Sequence, residues 1–430
     1  MRHRVVVTGM GIWSSVGQDL MTVSENLRQG NSGIIYDQGR VDYGLRTGLI
    51  GNVPLPGIKT ILPRSKRDTM TEDTCYAYMA VKQAFEQAKM DDNYLEKNEV
   101  GIIWGNDGNS SCTEITPVMK TEKSSLILEP YLLYKIPTST NVFHLCSLFH
   151  LRGVSYGVGA ACASSAHAIG VAAMIIRSGV QTSMVVGGAM EVHRYPFYAE
   201  MDVADMLSRR NEEPERASRP FDKDRDGMIP SGGAAALVLE EYEHAVARGA
   251  TILAEICGYG FSSNGHDAIS LPSADAEYIA MKRALDDAGL QPSDIDYVNA
   301  HGTSTPIGDI EEAKALTRLF VPSIPSSPSS SSSETSPASA TRVSTPFISS
   351  TKSMTGHENW MAGASEAVYS ILMMQNGFVA PNINLENVID EAKDLNIVRE
   401  TIYTPIRTVL SNSSGMGGTN SALVFRKVKS

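Results

Sequence analysis

The chain of 430 residues is short of several features that mark particular classes of protein. Its five cysteines form no CxxC pair, which argues against a zinc site or a disulfide framework and fits a reducing compartment. Lys and Arg number 37 against 48 Asp and Glu, and the formal net charge of −11 argues against general binding to nucleic acid. No apolar run reaches the length of a membrane helix or of a signal-peptide core. We therefore expect a cytoplasmic protein with no membrane insertion and no metal or redox cofactor.

The apolar pattern indicates an α/β protein. Apolar residues make up 42% of the chain, which is ordinary for a globular protein. Short apolar runs alternate with helical patterns rich in small residues, and two halves share this rhythm. Residues 4–12 are predicted to form a buried strand with a glycine turn. The other predicted strands are 100–105, 183–188, 234–239, 252–259, 295–300, 408–413 and 421–425, and the predicted helices are 71–89, 163–177, 274–289, 310–320 and an amphipathic one at 362–375.

The segment at about 321–345 is dominated by serine and proline. Such a low-complexity stretch cannot bury a core. We interpret it as a surface insertion within the second half of the chain, and a regulatory or docking role is the alternative interpretation.

The stretch GVGAACASSAHAIG at 157–170 organises the rest of the chain. It predicts a strand end, a tight turn that carries Cys162, and a helix that packs a face of small residues inward. A cysteine at a helix N-terminus lies at the positive end of the helix dipole, which favours the nucleophilic thiolate. The alternative is a buried structural cysteine.

Three further stretches place polar groups at the ends of predicted elements. His301 follows a strand, Lys352 and His357 lie five residues apart before a helix, and residues 411–420 form a glycine-rich turn whose N–H groups can face an anion. Each has a purely structural alternative. Together they fall where catalytic groups lie on α/β scaffolds. The glycines at 9–11 lack the spacing of a dinucleotide-binding fingerprint.

Several long motifs, in order, resemble the β-ketoacyl-acyl-carrier-protein synthases of the thiolase superfamily, with most similarity to the synthase I branch. They are AACASSAHAIG (160–170), SRPFDKDRDG (218–227), NAHGTSTPIGD (299–309), STKSMTGH (350–357), GFVAPNIN (377–384) and SNSSGMGGTN (411–420). The resemblance implies a five-layered αβαβα fold of two pseudo-symmetric halves. Residues 1–250 would carry the nucleophile and residues 251–430 both histidines.

The same resemblance implies elongation of a carrier-bound acyl chain by decarboxylative Claisen condensation, in fatty acid or polyketide biosynthesis. The partners implied are an acyl carrier protein, which brings phosphopantetheine as part of the substrate, and a second subunit in a homodimer or a heterodimer. A non-catalytic subunit of the chain-length-factor type is the alternative, but such subunits lack the nucleophile and Cys162 is present. Thiolases use a second cysteine where this chain has residues 415–418, and chalcone-type synthases have asparagine where it has His357.

The family's motifs also imply roles for individual residues. Cys162 would be acylated, and His301 and His357 would donate hydrogen bonds to the enolate. Lys352 would orient the histidines. The remaining implied roles are a charged neighbour of Lys352 (Glu312), a supporting carboxylate (Asp309), oxyanion-hole N–H groups (Cys162 and Met416), and hydroxyls for the pantetheine arm (Thr303 and Thr305).

The chain departs from the family pattern around the expected acyl pocket. Trp360 occupies a position that is usually glycine, and we expect altered packing near His357. Methionine or serine replaces phenylalanine at the gate, and Asp205 lies where apolar or smaller residues are usual. From these changes we predict a pocket for stiff, conjugated acyl chains, such as those of aryl polyenes. The pocket and gate residues concerned are Met201, Asp205, Met228, Ser414 and Met416.

Carrier proteins are acidic, so docking requires local positive charge on a chain that is acidic overall. We predict that two basic clusters serve this purpose, and an ordinary solvated cluster is the alternative. The residues are Arg64, Lys66, Arg67, Lys120 and Lys123.

Overall fold

The computed structural model describes residues 2–108, 118–265, 268–269, 271–322 and 345–428. The predicted insertion at about 321–345 lies almost wholly outside these residues. In the described part of the chain, no helix is long and apolar enough to cross a membrane.

A ten-stranded sheet runs through the molecule in the order β10-β9-β13-β14-β8-β1-β7-β6-β4-β5. The five strands on each side of the β8–β1 contact repeat one pattern: two antiparallel pairings follow the central strand, and two parallel pairings complete the edge. Two small sheets pair β2 with β3 and β11 with β12. The strands are β1 Val5–Trp13, β2 Ile34–Tyr36, β3 Leu49–Gly51, β4 Gly101–Gly105, β5 Ser155–Val158, β6 Ser183–Met190, β7 Gly233–Glu241, β8 Ala254–Ser263, β9 Tyr297–Asn299, β10 Phe347–Ser349, β11 Phe378–Val379, β12 Ile402–Tyr403, β13 Thr408–Gly415 and β14 Thr419–Arg426.

Helices cover both outer faces of the sheet and fill the space between its two halves. The longer helices are α1 Leu20–Gln29, α2 Glu72–Ala88, α3 Thr140–Phe149, α4 Ser164–Arg177, α5 Tyr195–Val203, α6 Ala274–Ala288, α7 Gly308–Phe320 and α8 Ala362–Asn376. The shorter α-helices are Gln38–Tyr43, Ile58–Ile61, Arg64–Arg67, Asp92–Lys97, Leu132–Lys135, Pro214–Ala217, Tyr242–Ala247 and Lys352–Thr355.

Three hydrophobic clusters define the layers. One joins α2 to the outer face of the first half-sheet, one joins α6 and α7 to the outer face of the second, and the largest surrounds α4 and α8 between the halves. The molecule is therefore an αβαβα sandwich, and the predicted fold class is confirmed. The division of the chain at residues 250 and 251 stays a prediction.

The glycines of β1 lie within the strand, so the predicted glycine turn there is wrong. A Cβ at Gly9 would lie 2.1 Å from the carbonyl oxygen of Ala84, and one at Gly11 would lie 1.9 Å from that of Ala80. These glycines let α2 approach the sheet backbone closely. The second half repeats the arrangement, since Gly258 faces Ala284 and Gly260 faces Ala280 at 2.2 and 2.0 Å.

Helix α8 is buried on nearly all sides, and 13 of its 15 residues are buried. The prediction of an amphipathic helix there is wrong, because α8 lies in the middle layer and has no solvent-facing side.

Candidate active site

Cys162 lies on the 3₁₀ turn Ala161–Ala163, which connects β5 to α4. The turn holds Ala161 at φ 46°, in the left-handed region that non-glycine residues avoid. Asp107 Oδ2 accepts a hydrogen bond of 2.6 Å from the Ala161 N–H, and Ser164 Oγ donates one of 2.6 Å to the Ala161 carbonyl. These bonds hold the strained turn and fix the position of Cys162.

The sulfur of Cys162 has three polar neighbours. His357 Nε2 lies 3.0 Å away, and the backbone N–H groups of Met416 and of Cys162 itself hydrogen-bond to the sulfur. Burial raises the pKa of the Cys162 thiol to about 11, although the charge of Lys352 and the two N–H groups act in the opposite direction. Desolvation therefore outweighs these stabilising contacts, and the thiol is protonated at neutral pH before substrate binds.

His301 lies two residues beyond the end of β9, and its ring tautomer is set by Lys352. Lys352 Nζ is 3.5 Å from His301 Nδ1. An ammonium group only donates, so Nδ1 must accept and the ring proton lies on Nε2. Burial, followed by the charge of Lys352, holds the pKa of His301 well below its usual value, so the ring is a neutral N–H donor.

His357 follows the helix Lys352–Thr355 and Gly356. Its backbone N–H donates to the Ile229 carbonyl at 2.7 Å, and its carbonyl accepts from the Ser231 N–H at 3.0 Å. Burial and the charge of Lys352 hold its pKa well below the usual range, so this ring is also neutral. Its Nδ1 is buried and has no hydrogen-bond partner among the described residues. Among the described residues, no contact at Nδ1 fixes the tautomer of this ring. The rings of His301 and His357 lie 5.4 Å apart between centroids, at 88°.

The direct ion-pair partner of Lys352 is Glu366 on α8, and both side chains are almost fully buried. Glu312, predicted as the charged neighbour of Lys352, does feel the charge of Lys352, but it is not the residue that pairs with it. Sequence reasoning missed Glu366, although it is the one charged residue in the sequence of helix α8.

Glu312 on α7 instead holds the backbone around His301. Its two carboxylate oxygens accept hydrogen bonds of 2.7 Å from the His301 N–H and 2.6 Å from the Gly302 N–H, and Asn412 donates to the same carboxylate. Glu312 thus positions His301 through its main chain.

Asp309, at the start of α7, supports the loop that follows His301. It accepts hydrogen bonds from the N–H groups of Thr303, at 3.1 Å, and of Phe221, at 2.8 Å. The hydroxyls of Thr303 and Thr305 lie 2.9 Å apart on this loop. The structure therefore brings both threonines beside His301, and their role toward pantetheine stays a prediction.

Comparison with known proteins identifies the family. The family model "Beta-ketoacyl synthase, N-terminal domain" matches residues 2–245, and "Beta-ketoacyl synthase, C-terminal domain" matches residues 253–386. The chain belongs to the β-ketoacyl synthase family. This synthase is 39% identical over 430 residues to 3-oxoacyl-(acyl-carrier-protein) synthase 1 of Escherichia coli strain K12, with 99% of each protein covered. The family that the motifs predicted is confirmed.

Two solved structures are similar to the synthase along the whole chain. A β-ketoacyl synthase from Burkholderia phymatum STM815 is 34% identical, with a TM-score of 0.88 and coverage of 99% of this chain and 100% of that one. The ishigamide ketosynthase/chain length factor is 28% identical, with a TM-score of 0.86 and complete coverage of both chains.

The predicted pocket and gate residues of the synthase divide between two environments. Met201 and Met228 are buried in the central cluster, and Met416 is 57% exposed beside Cys162. Asp205 is exposed and pairs with Arg46 at 3.0 Å, so its placement in the pocket is wrong.

Ser414 also lies away from the expected gate. Its hydroxyl is buried next to Glu277 on α6, and that helix covers the outer face of the sheet. Adjacent residues of a strand face opposite sides, and Gly415 faces the Cys162 turn, where a Cβ would lie 2.5 Å from the Ala160 carbonyl. The Ser414 side chain therefore faces away from Cys162, and its prediction as a gate residue is corrected.

The predicted docking residues lie at the surface of the synthase. Arg64–Arg67 is a short helix without buried residues, and Lys120 and Lys123 are exposed. Carrier docking at these residues stays a prediction. Across the part of the chain that the structure describes, no group of three or more His, Cys, Asp or Glu side chains could hold a metal ion.

Proposed function

We propose that the protein elongates acyl chains bound to an acyl carrier protein by decarboxylative Claisen condensation with a malonyl carrier protein. The observation that carries this proposal is the 3.0 Å contact between the Cys162 sulfur and His357 Nε2, with two backbone N–H groups on the same sulfur. A nucleophile, a neutral histidine and a preformed anion site thus meet in one place.

The first half-reaction moves the acyl group to Cys162. The sulfur attacks the thioester carbonyl of the acyl carrier protein, a new C–S bond forms, and the C–S bond to pantetheine breaks. The proton of the thiol ends on the departing pantetheine sulfur, which is released as a thiol. The N–H groups of Cys162 and Met416 stabilise the tetrahedral oxyanion.

The second half-reaction uses both histidines. The malonyl thioester loses CO₂, and the electron pair of the broken C–C bond forms an enolate. His301 donates its Nε2–H to the enolate oxygen, and His357 donates from Nε2, since none of the described residues accepts a hydrogen bond from its Nδ1. The enolate carbon attacks the acyl-cysteine carbonyl, the C–S bond to Cys162 breaks, and the released thiolate takes a proton from water.

The E. coli relative is named for the acyl carrier protein, and a similar solved structure is titled a ketosynthase/chain length factor. We therefore propose an acyl carrier protein, docked on the predicted basic clusters, and a homologous subunit as partners of this chain. A chain-length-factor-like role is the second candidate, and the presence of Cys162 beside His357 favours catalysis.

Intact-mass spectrometry of the two half-reactions tests the proposal. Wild type mixed with acyl carrier proteins should gain one acyl group, and Cys162→Ala should gain none. Cys162→Ala should still decarboxylate the malonyl carrier protein, whereas His301→Ala should be acylated but fail to decarboxylate. A folded wild type that is acylated by no donor and releases no CO₂ would overturn the proposal in favour of a non-catalytic subunit.

A further inference from the structure

Arg40, on the short helix Gln38–Tyr43, is a fully buried cation whose hydrogen bonds are missing. Its relative exposure is 0%, and Nε, Nη1 and Nη2 have no hydrogen-bond partner among the described residues. A guanidinium keeps its charge and offers five N–H donors, so burial without acceptors is costly. Such a group needs an acceptor that the described residues do not supply.

Aromatic faces enclose the guanidinium of Arg40. Its central carbon lies 4.9 Å from the centroid of the Tyr198 ring and 5.8 Å from that of Tyr195. Cation–π attraction offsets part of the cost of burying the charge. A ring face accepts no strong hydrogen bond, and the N–H groups in the plane of the guanidinium remain free.

The two carboxylates whose charge acts on Arg40 already accept hydrogen bonds from other donors. Asp37 accepts hydrogen bonds from the Gly39 N–H at 2.9 Å and from the Tyr195 hydroxyl at 3.3 Å. Asp202 accepts the N–H and the guanidinium of Arg46 at 2.9 and 3.2 Å. Both attract the charge of Arg40 over a distance, but neither hydrogen-bonds to it.

A continuous series of aromatic contacts leads from the nucleophile to Arg40. The turn of Cys162 packs against the turn Asn359–Met361, which contains Trp360. The Trp360 ring contacts Phe197 at a centroid distance of 5.1 Å, and Phe197 contacts Tyr198 at 5.4 Å. Tyr198 then lies under the Arg40 guanidinium.

Trp360, which stands where the family usually has glycine, supplies the first ring of this series. The Trp360 indole is almost fully buried and also covers Gly108, where a Cβ would lie 2.8 Å from the ring. Flat side chains therefore lie in series between Cys162 and Arg40. Flat, unsaturated groups pack well against such surfaces.

We propose that Arg40 is a specificity-determining residue that hydrogen-bonds to an oxygen at the far end of the acyl group carried by Cys162. The substrates it selects are flat, conjugated acyl chains that end in an oxygen acceptor, such as a phenol. This inference rests on the proposed acylation of Cys162. Chains that lack the oxygen leave the buried donors of Arg40 unpaired, which is a strong basis for rejection.

The test compares acyl donors that differ by one oxygen atom. Phenyl-polyenoyl carrier proteins and their para-hydroxyphenyl counterparts are prepared with increasing numbers of conjugated double bonds, beside a saturated alkanoyl donor. The rate of Cys162 acylation is followed by intact mass. Wild type should prefer the hydroxyphenyl donor by about tenfold or more once the chain is long enough to reach Arg40.

Two variants separate recognition from folding. Arg40→Leu should lose the preference for the hydroxyl group while the saturated donor still acylates Cys162, and Arg40→Lys should retain part of it, since lysine also donates. Equal rates for both donors in wild type at every chain length, or an unchanged preference in Arg40→Leu, would overturn the inference. Absence of acylation by any donor would instead count against the proposed function. The wild-type comparison decides the question even if Arg40→Leu does not fold.

Discussion

The Cys162 sulfur lies 3.0 Å from Nε2 of His357, although the two residues are 195 positions apart in the sequence. Neither group is charged at neutral pH in the absence of substrate, since burial raises the pKa of the thiol and lowers that of the imidazole. The pair therefore starts as a neutral thiol and a neutral ring.

The pH dependence of Cys162 modification follows from this state. Because the pKa of the thiol is about 11, the thiolate fraction should rise about tenfold per pH unit across the neutral and mildly alkaline range. Alkylation of Cys162 by iodoacetamide, read by peptide mass, should rise accordingly. A rate that levels off below pH 8 would show that the thiolate is already formed, contrary to this expectation.

Asp107 adds to the elevation of the thiol pKa through its negative charge. Asp107→Asn removes the charge and keeps an oxygen that can accept the Ala161 N–H. The alkylation profile of Cys162 should therefore move to lower pH in this variant. Asp107→Glu, which keeps the charge, serves as the control, and an identical profile in wild type and Asp107→Asn would refute the electrostatic role.

Lys352 and Glu366 form an ion pair that is shielded from solvent. Glu366→Gln leaves the ammonium without its counter-charge, which should reduce the free energy of unfolding by about 3–5 kcal/mol. Combining it with Lys352→Met should restore much of the loss, because the unpaired charge is then gone. Urea unfolding of the single and double variants measures both effects, and additive losses would contradict the pairing.

Gly260 on β8 allows α6 to approach the sheet. A Cβ there would lie 2.0 Å from the Ala280 carbonyl, so Gly260→Ala should cost about 3 kcal/mol through overpacking. Gly249→Ala is the matched control, since Gly249 has φ +72° and open space around it. It should cost only about 1–2 kcal/mol of backbone strain. Equal losses in thermal or urea unfolding would argue against the close approach.

The regular elements were predictable because their patterns are local. Helix α6 was predicted at 274–289 and is found at Ala274–Ala288, and the helix after Cys162 ends at Arg177, as predicted. Helix α8 was placed correctly, but its burial on all sides was not foreseen. Whether one side of a helix faces solvent depends on the layer in which the helix packs. The sequence of the helix alone does not determine that layer.

The roles that the sequence did not predict depend on the direction in which a side chain points. Ser414 was assigned to the gate, but the alternation of β13 directs it toward Glu277. Glu312 was predicted as a charged neighbour of Lys352, and the charge of Lys352 acts on it, but its carboxylate accepts hydrogen bonds from the backbone of His301 and Gly302. A sequence motif identifies which residues belong to the site. The elements that pack around each residue determine which groups its side chain contacts.

The sequence by itself determined the family, the αβαβα fold and the stretches that carry Cys162, His301, Lys352 and His357, because long ordered motifs and local periodicity are written in the chain. Only the tertiary structure decided three features. They are the ion pair of Lys352 with Glu366, the hydrogen bond from the strained turn to Asp107, and the burial of Arg40 without a hydrogen-bond partner among the described residues. These features depend on burial and on contacts between residues far apart in sequence. Desolvation, which sets the charge of a buried group, exists only once the layers have assembled.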